Sequence, residues 1–301
     1  MKFTIKLAFI LLFFSFVANA QIQALDVDSP RPKNLTQRWE IDTTAVRSTF
    51  LLTPYKPIYI LLGKYSTHPN DQPHSENNSP EYIVPEGINY DNIELKFQLS
   101  FKTKVLQGVL WKSADLWVAY TQKSFWQVYN HDLSRPFREI NYEPEVILNF
   151  PVNFKIFGFN TKMVGIAFNH LSNGKSDPFS RTLNRVIAHA GLERKNWTVY
   201  LRTWYGLSDN SGDNPDISDY TGRTDLNLIY TKNGHTVAFY GSYNMNFTSL
   251  PKGYAELSWS YPIKNNLKAY LQISHGYGES LIDYNHLQTT VGLGISLIEW
   301  L

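Results

Sequence analysis

The chain has 301 residues, 28 Lys and Arg against 26 Asp and Glu, a net charge of +2 and no cysteine. Charge near balance with no basic stripe argues against a nucleic-acid or other polyanionic partner, and the fold holds together without disulfides. Aromatic residues at 15%, charged residues at 18% and a mean hydropathy of −0.30 leave two all-β classes open, a soluble sandwich and a transmembrane barrel.

Residues 1–20 read as a signal peptide. Lys2 and Lys6 form the basic start, residues 7–16 the apolar run, and Ala18-Asn19-Ala20 the small-residue cleavage site. The mature chain then begins at Gln21 and leaves the cytoplasm. Residues 21–50 are polar and Pro-broken, an N-terminal periplasmic arm, and residues 51–301 form one domain with no second unit. No later apolar stretch is long enough for a transmembrane helix.

From Tyr55 onward, strand-length segments recur at 55–65, 91–102, 114–124, 143–156, 162–172, 181–192, 196–206, 220–231, 235–247, 252–262, 266–275 and 288–299. Twelve is an even number, as single-chain bacterial barrels require. Leu267, Ala269, Leu271 and Ile273 alternate with Lys268, Tyr270, Gln272 and Ser274; Ala255, Leu257, Trp259 and Tyr261 alternate with Glu256, Ser258 and Ser260. Apolar-out and polar-in strands fit a transmembrane antiparallel up-and-down β-barrel with a polar interior. Links after odd strands are long and polar, whereas most links after even strands are short, with 103–113 the exception. Long loops on the outer side and short turns at the periplasm produce that alternation.

The fifth and sixth strands carry chemistry. Val164, Ile166, Phe168, His170 and Ser172 share one face, because side chains two apart in a strand point the same way. Asn184 shares the apolar side of the next strand with Val186, Ala188 and Ala190. All three polar groups therefore sit near the joining turn, toward the outer leaflet, on the lipid-facing surface. A histidine beside a hydroxyl, with a third group to orient the imidazole, is the arrangement of an activated serine. A bare charge in hydrocarbon is costly, which favours a neutral orienting group. Ser172 is then the nucleophile, His170 the general base and acid, and Asn184 the group that holds the ring. Gly174 is open to two readings, as an oxyanion donor through its N–H or as a turn former with Asn173. Gln122, by the same parity, lies on the outer face of the third strand, where its amide needs a partner such as a second barrel.

The wording of the hairpin, Asn169-His170-Leu171-Ser172-Asn173-Gly174-Lys175-Ser176-Asp177-Pro178 followed by Ser180-Arg181 and Asn184-Arg185, resembles the active-site signature of the outer membrane phospholipase A family. So do Tyr120-Thr121-Gln122-Lys123-Ser124, Pro136-Phe137-Arg138-Glu139, Asn141-Tyr142-Glu143-Pro144, the Asp213 to Ile217 block and Gly276-Tyr277-Gly278-Glu279-Ser280. The resemblance covers roughly Lys96 to the C-terminus. It implies an outer-membrane enzyme that hydrolyses acyl esters of glycerophospholipids and lysophospholipids, with the three roles above. It also implies the oxyanion role for Gly174 and a calcium ion held by the Ser180 hydroxyl, the Lys175 carbonyl and the Ser134 carbonyl of a second subunit. Asp177 and Asp213 match an additional calcium position, and the active form is a homodimer with Gln122 in its interface. The contrasting reading is a passive pore or structural barrel whose His-x-Ser is incidental.

Overall fold

The computed structural model describes residues 34–41, 49–77, 79–207, 214–245 and 252–298. The expected signal peptide, much of the expected arm and Asp213 lie outside the described residues.

Twelve strands pair in sequence order: β1 (Ile58–Ser66), β2 (Ile93–Gly108), β3 (Ala114–Trp126), β4 (Phe137–Ile156), β5 (Phe159–Ser172), β6 (Thr182–Arg194), β7 (Trp197–Gly206), β8 (Thr224–Lys232), β9 (His235–Tyr243), β10 (Gly253–Lys264), β11 (Leu267–Tyr277) and β12 (Leu287–Ile298). The last pairs antiparallel with the first, Thr290 against Ser66 and Ile295 against Ile60, and so closes the barrel. A two-residue strand, Thr53–Pro54, adds to the side of β2. Closure pairs the backbone groups that an open sheet would leave bare in hydrocarbon.

Parity follows the sequence pattern. Ile166, Phe168, Val186, Leu201, Phe239, Leu257, Ile273, Val291 and Leu293 are exposed on the outside, an apolar band that lipid covers. Their neighbours along each strand, among them Asn169, Arg185, Arg202, Ser258 and Gln272, are buried in the lumen. Among the boundaries that differ from the sequence expectation, two bear on the loops and the site. Strand β2 runs to Gly108, so the link after it shortens to Val109–Ser113 and is no longer an exception to the loop alternation. Strand β4 begins at Phe137 rather than at residue 143, because Arg138 and Asn141 point inward and are bonded within the barrel mouth. Polar inward residues at a strand end do not look like strand in a hydropathy pattern.

Both ends of the lumen are filled. At the periplasmic end, α1 (Leu35–Arg38) opens on a capping box: the Gln37 N–H donates to the Asn34 side chain at 2.9 Å and the Asn34 N–H to Gln37 at 3.3 Å. Trp39, which follows it, packs edge-on against Tyr55 and Trp117 and beneath the Lys102 ammonium, within an apolar cluster that includes Met163, Ile187 and Trp204. At the outer end, the β11–β12 loop turns inward, and Glu279, Leu281, Asp283 and Tyr284 are all buried. Lys64 and Lys96 donate to Glu279 at 2.9 and 3.0 Å, and Arg138 grips Glu94 through two bonds while reaching Asp283 at 2.9 Å. Breaking a buried pair of this kind strands its partner, at about 3–5 kcal/mol. The charges therefore lock the outer loop to the wall.

Candidate active site on the outer face

His170 and Asn184 stand directly opposite in the β5–β6 register, and His170 Nδ1 lies 2.7 Å from Asn184 Oδ1. Because a carboxamide oxygen only accepts, Nδ1 carries the proton, and in the neutral tautomer of that form the lone pair is on Nε2. The Asn184 backbone is pinned as well, since its carbonyl accepts from the Leu207 N–H at 2.8 Å. Ser172 lies one step further along β5 on the same face, opposite Thr182 on one side and Tyr142 on the other. Gln122 in turn faces Tyr142. One row across four strands thus reads Gln122, Tyr142, Ser172, Thr182, all on the outside.

The turn after Ser172 is organised by a residue that sequence reasoning assigned only to turn formation. Asn173 is buried, and its amide uses both ends. Oδ1 accepts from the backbone N–H groups of Arg181 (3.0 Å) and Lys175 (3.3 Å), while Nδ2 donates to the Phe179 carbonyl (2.8 Å) and Glu139 (3.4 Å). Gly174 follows at φ 64°, and a Cβ there would meet the Tyr142 ring at 3.3 Å, so the position suits glycine on both counts. Asn214 clips the far side, donating to the Thr182 carbonyl (2.9 Å) and accepting from the Thr182 N–H (3.0 Å). The odd parity of Asn173 and the Asp-Asn character of 213–216 were the available signals for these two residues. Neither names a partner.

The proposed calcium donors are less concentrated. Lys175, Asp177 and Ser180 share the β5–β6 turn, whereas Ser134 is exposed on the β3–β4 loop. The described residues hold no group of three or more His, Cys, Asp or Glu that could take a metal. Carbonyl, hydroxyl and a single carboxylate are hard oxygen donors, a set that suits calcium and not the softer metals. The Lys175 ammonium is drawn inward, bonding the Arg138 carbonyl at 2.5 Å and Glu139 at 3.3 Å. That keeps its charge off the outward side of the turn, where a cation would sit. Gln122 corrects its expected role in one respect. Its amide is not an orphan: Tyr120 donates to Oε1 and Nε2 donates to Ser124, each at 3.0 Å, along its own strand. Neighbours two apart on one face supply the partners that a lone residue seemed to lack.

A family model described as Phospholipase A1 matches residues 35–297. The chain belongs to the phospholipase A1 family. Phospholipase A1 of Escherichia coli K12 is 43% identical over 204 residues, covering 68% of this chain and 69% of the relative. The outer membrane phospholipase A of E. coli, solved as an active-site mutant with an asparagine replaced by alanine, matches with a TM-score of 0.74 at 37% identity, covering 85% of this chain and 95% of that one. The outer membrane phospholipase of Salmonella typhi, solved as a dimer with bound calcium, matches with the same score, identity and coverage. This phospholipase A1 family member is accordingly an enzyme that hydrolyses phospholipid at the outer membrane. Membership removes the passive-pore alternative.

Proposed function

We propose that the enzyme cleaves acyl esters of glycerophospholipids and lysophospholipids with a Ser172–His170–Asn184 triad on the lipid-facing wall, and that it depends on calcium and a dimer. The observation that carries this reading is the 2.7 Å His170–Asn184 bond on the outer face, one strand step from Ser172. His170 Nε2 takes the Ser172 proton as Oγ attacks the ester carbonyl. The tetrahedral oxyanion is held by the Gly174 N–H. His170 then returns the proton to the departing lysolipid oxygen, leaving an acyl-serine. Water, deprotonated by the same nitrogen, attacks that ester, and His170 passes the proton to the departing Ser172 oxygen as the fatty acid is released. Asn184 keeps the ring in the required tautomer and adds no charge beside lipid. Support for an asparagine in this place comes from the E. coli enzyme, whose active-site mutant exchanges an asparagine for alanine.

The Lys175 carbonyl, the Ser180 hydroxyl and Ser134 of a second copy would hold calcium, with Asp177 and Asp213 at an additional position. When bound, the ion supplies positive charge beside the developing oxyanion. Dimerisation would bring two outer faces together at the row containing Gln122 and enclose an acyl chain between them. The Salmonella relative, a dimer with bound calcium, supports both. Export through a signal peptide cut after Ala20 delivers the chain. The test is fatty-acid release from phospholipid by detergent-purified protein. Release should require calcium, stop on chelation and be lost in Ser172→Ala; full release under chelator would remove the calcium requirement.

A further inference from the structure

Directly behind the catalytic turn, inside the wall, lies a carboxylate that the proposed mechanism does not use. Glu139 is fully buried, and its two oxygens serve different parts of the molecule. Oε1 accepts from Asn141 Nδ2 at 2.6 Å and from the Ile282 N–H at 3.2 Å. Asn141 in turn accepts from the Leu281 N–H at 3.0 Å, so this oxygen belongs to the loop folded into the outer mouth. Oε2 accepts from Asn173 Nδ2 at 3.4 Å and pairs with the Lys175 ammonium at 3.3 Å, so the other oxygen belongs to the turn that carries Gly174 and Lys175. We infer that Glu139 is a positioning residue of the catalytic turn: one carboxylate fixes the turn against the inward loop and thereby sets the Lys175 carbonyl and the Gly174 N–H. The inference rests on the proposed roles of that turn.

The physical case is that one carboxylate bonds both elements at once, beside the Arg181 guanidinium that lies over the Tyr284 ring at 5.7 Å. Asn173 and Lys175 flank Gly174, which sits at positive φ and has no side chain to anchor the turn. Both flanking side chains reach the same carboxylate oxygen, Asn173 while also donating to the Phe179 carbonyl and Lys175 while also donating to the Arg138 carbonyl. A fully buried carboxylate is retained only when its lone pairs are filled, and here each oxygen has two partners. Groups that orient a metal ligand from behind typically change metal affinity by about 10–100-fold when they are replaced.

Glu139→Gln keeps the shape and one acceptor oxygen. If that oxygen stays with Asn141 and Ile282, the new NH2 faces the Lys175 ammonium and the Asn173 amide, donor against donor. The terbium luminescence midpoint, with terbium standing for calcium, should weaken about 10-fold in protein that retains the parent's heat-resistant migration on gels. Lys175→Met, a change at a partly exposed side chain, removes the other half of the pair and should weaken the same midpoint if Glu139→Gln does not fold. Glu139→Gln with Lys175→Met should recover activity over Glu139→Gln alone, because the ammonium no longer opposes the new NH2 and only the neutral Asn173 amide still faces it; general loosening of the barrel would make the double variant worse. Parent terbium midpoints in both single variants, or no rescue in the double, would overturn the inference. Ser172→Ala run alongside separates the cases: if it still hydrolyses phospholipid, the underlying triad fails instead.

Discussion

Two histidine–asparagine pairs involve the β5–β6 hairpin, one on each side of the same wall: one lies within the hairpin and the other runs from β6 to β4. His170 reaches Asn184 at 2.7 Å on the lipid side, and His189 Nε2 reaches Asn149 at 3.1 Å on the lumen side. Their surroundings divide them. His189 is buried, stacked on Trp39 and tilted against Tyr200, and seated over Gly165, where a Cβ would meet its ring at 2.6 Å. It fills space and satisfies an amide. His170 is partly exposed at the outer end of its strand, with one ring nitrogen occupied by Asn184 and a serine two residues on. The packing histidine and the catalytic candidate stand on neighbouring strands, and the face each is on decides which it becomes.

Substitutions on the two faces should therefore fail in different ways. His170→Ala should lower hydrolysis by roughly 10⁴–10⁶-fold with an unchanged melting profile in detergent; a small loss would place the base elsewhere. Asn184→Ala should cost less, about 10–100-fold, since it orients the ring without moving a proton. Equal losses at the two positions would argue against that division. His189→Leu should leave the rate near parent while lowering stability by about 1–3 kcal/mol, the cost of an unsatisfied Asn149. A collapse of rate with intact stability would contradict its packing role.

The lumen also has an acid response. Burial alone would raise the Glu279 pKa, but the ammonium groups of Lys64 and Lys96 override it and hold the carboxyl at about 2, against an ordinary value of 4.5. A depressed acid stabilises the fold above its unfolded pKa and loses that contribution as the pH falls through the folded value. The detergent melting temperature should hold above pH 4.5 and fall toward pH 2, and the fall should shrink in Glu279→Gln. The smallest effect belongs to Gln122→Ala, which should weaken association by about 0.6–2 kcal/mol in sedimentation without altering the barrel, because its amide partners are residues of its own strand.

Much of the architecture is legible in alternation alone. Parity puts His170, Ser172 and Asn184 on the apolar side of two adjacent strands, and the register makes two of them direct neighbours. Strand starts in polar segments are not legible, as Arg138 and Asn141 show, because their inward partners come from a loop some 140 residues away. The same reason hides Glu139 and Asn214, whose roles depend on contacts distant in sequence. Gln122 fails differently. Parity gives its face correctly, while its hydrogen bonds depend on side-chain reach along the strand. The docking of Trp39 in the lumen has no periodic signal at all, since it belongs to one short turn of helix rather than to a repeating strand.

The central claim is that the reactive hydroxyl of this enzyme is Ser172 on the outer wall, activated by His170. A serine-reactive sulfonyl fluoride, added to detergent-solubilised protein with calcium and followed by peptide mass spectrometry, tests it directly. One adduct per chain, on Ser172, appearing in step with loss of hydrolysis and absent from His170→Ala, is the expected result. Loss of hydrolysis with the adduct on another residue, or full labelling of Ser172 with hydrolysis retained, would contradict it.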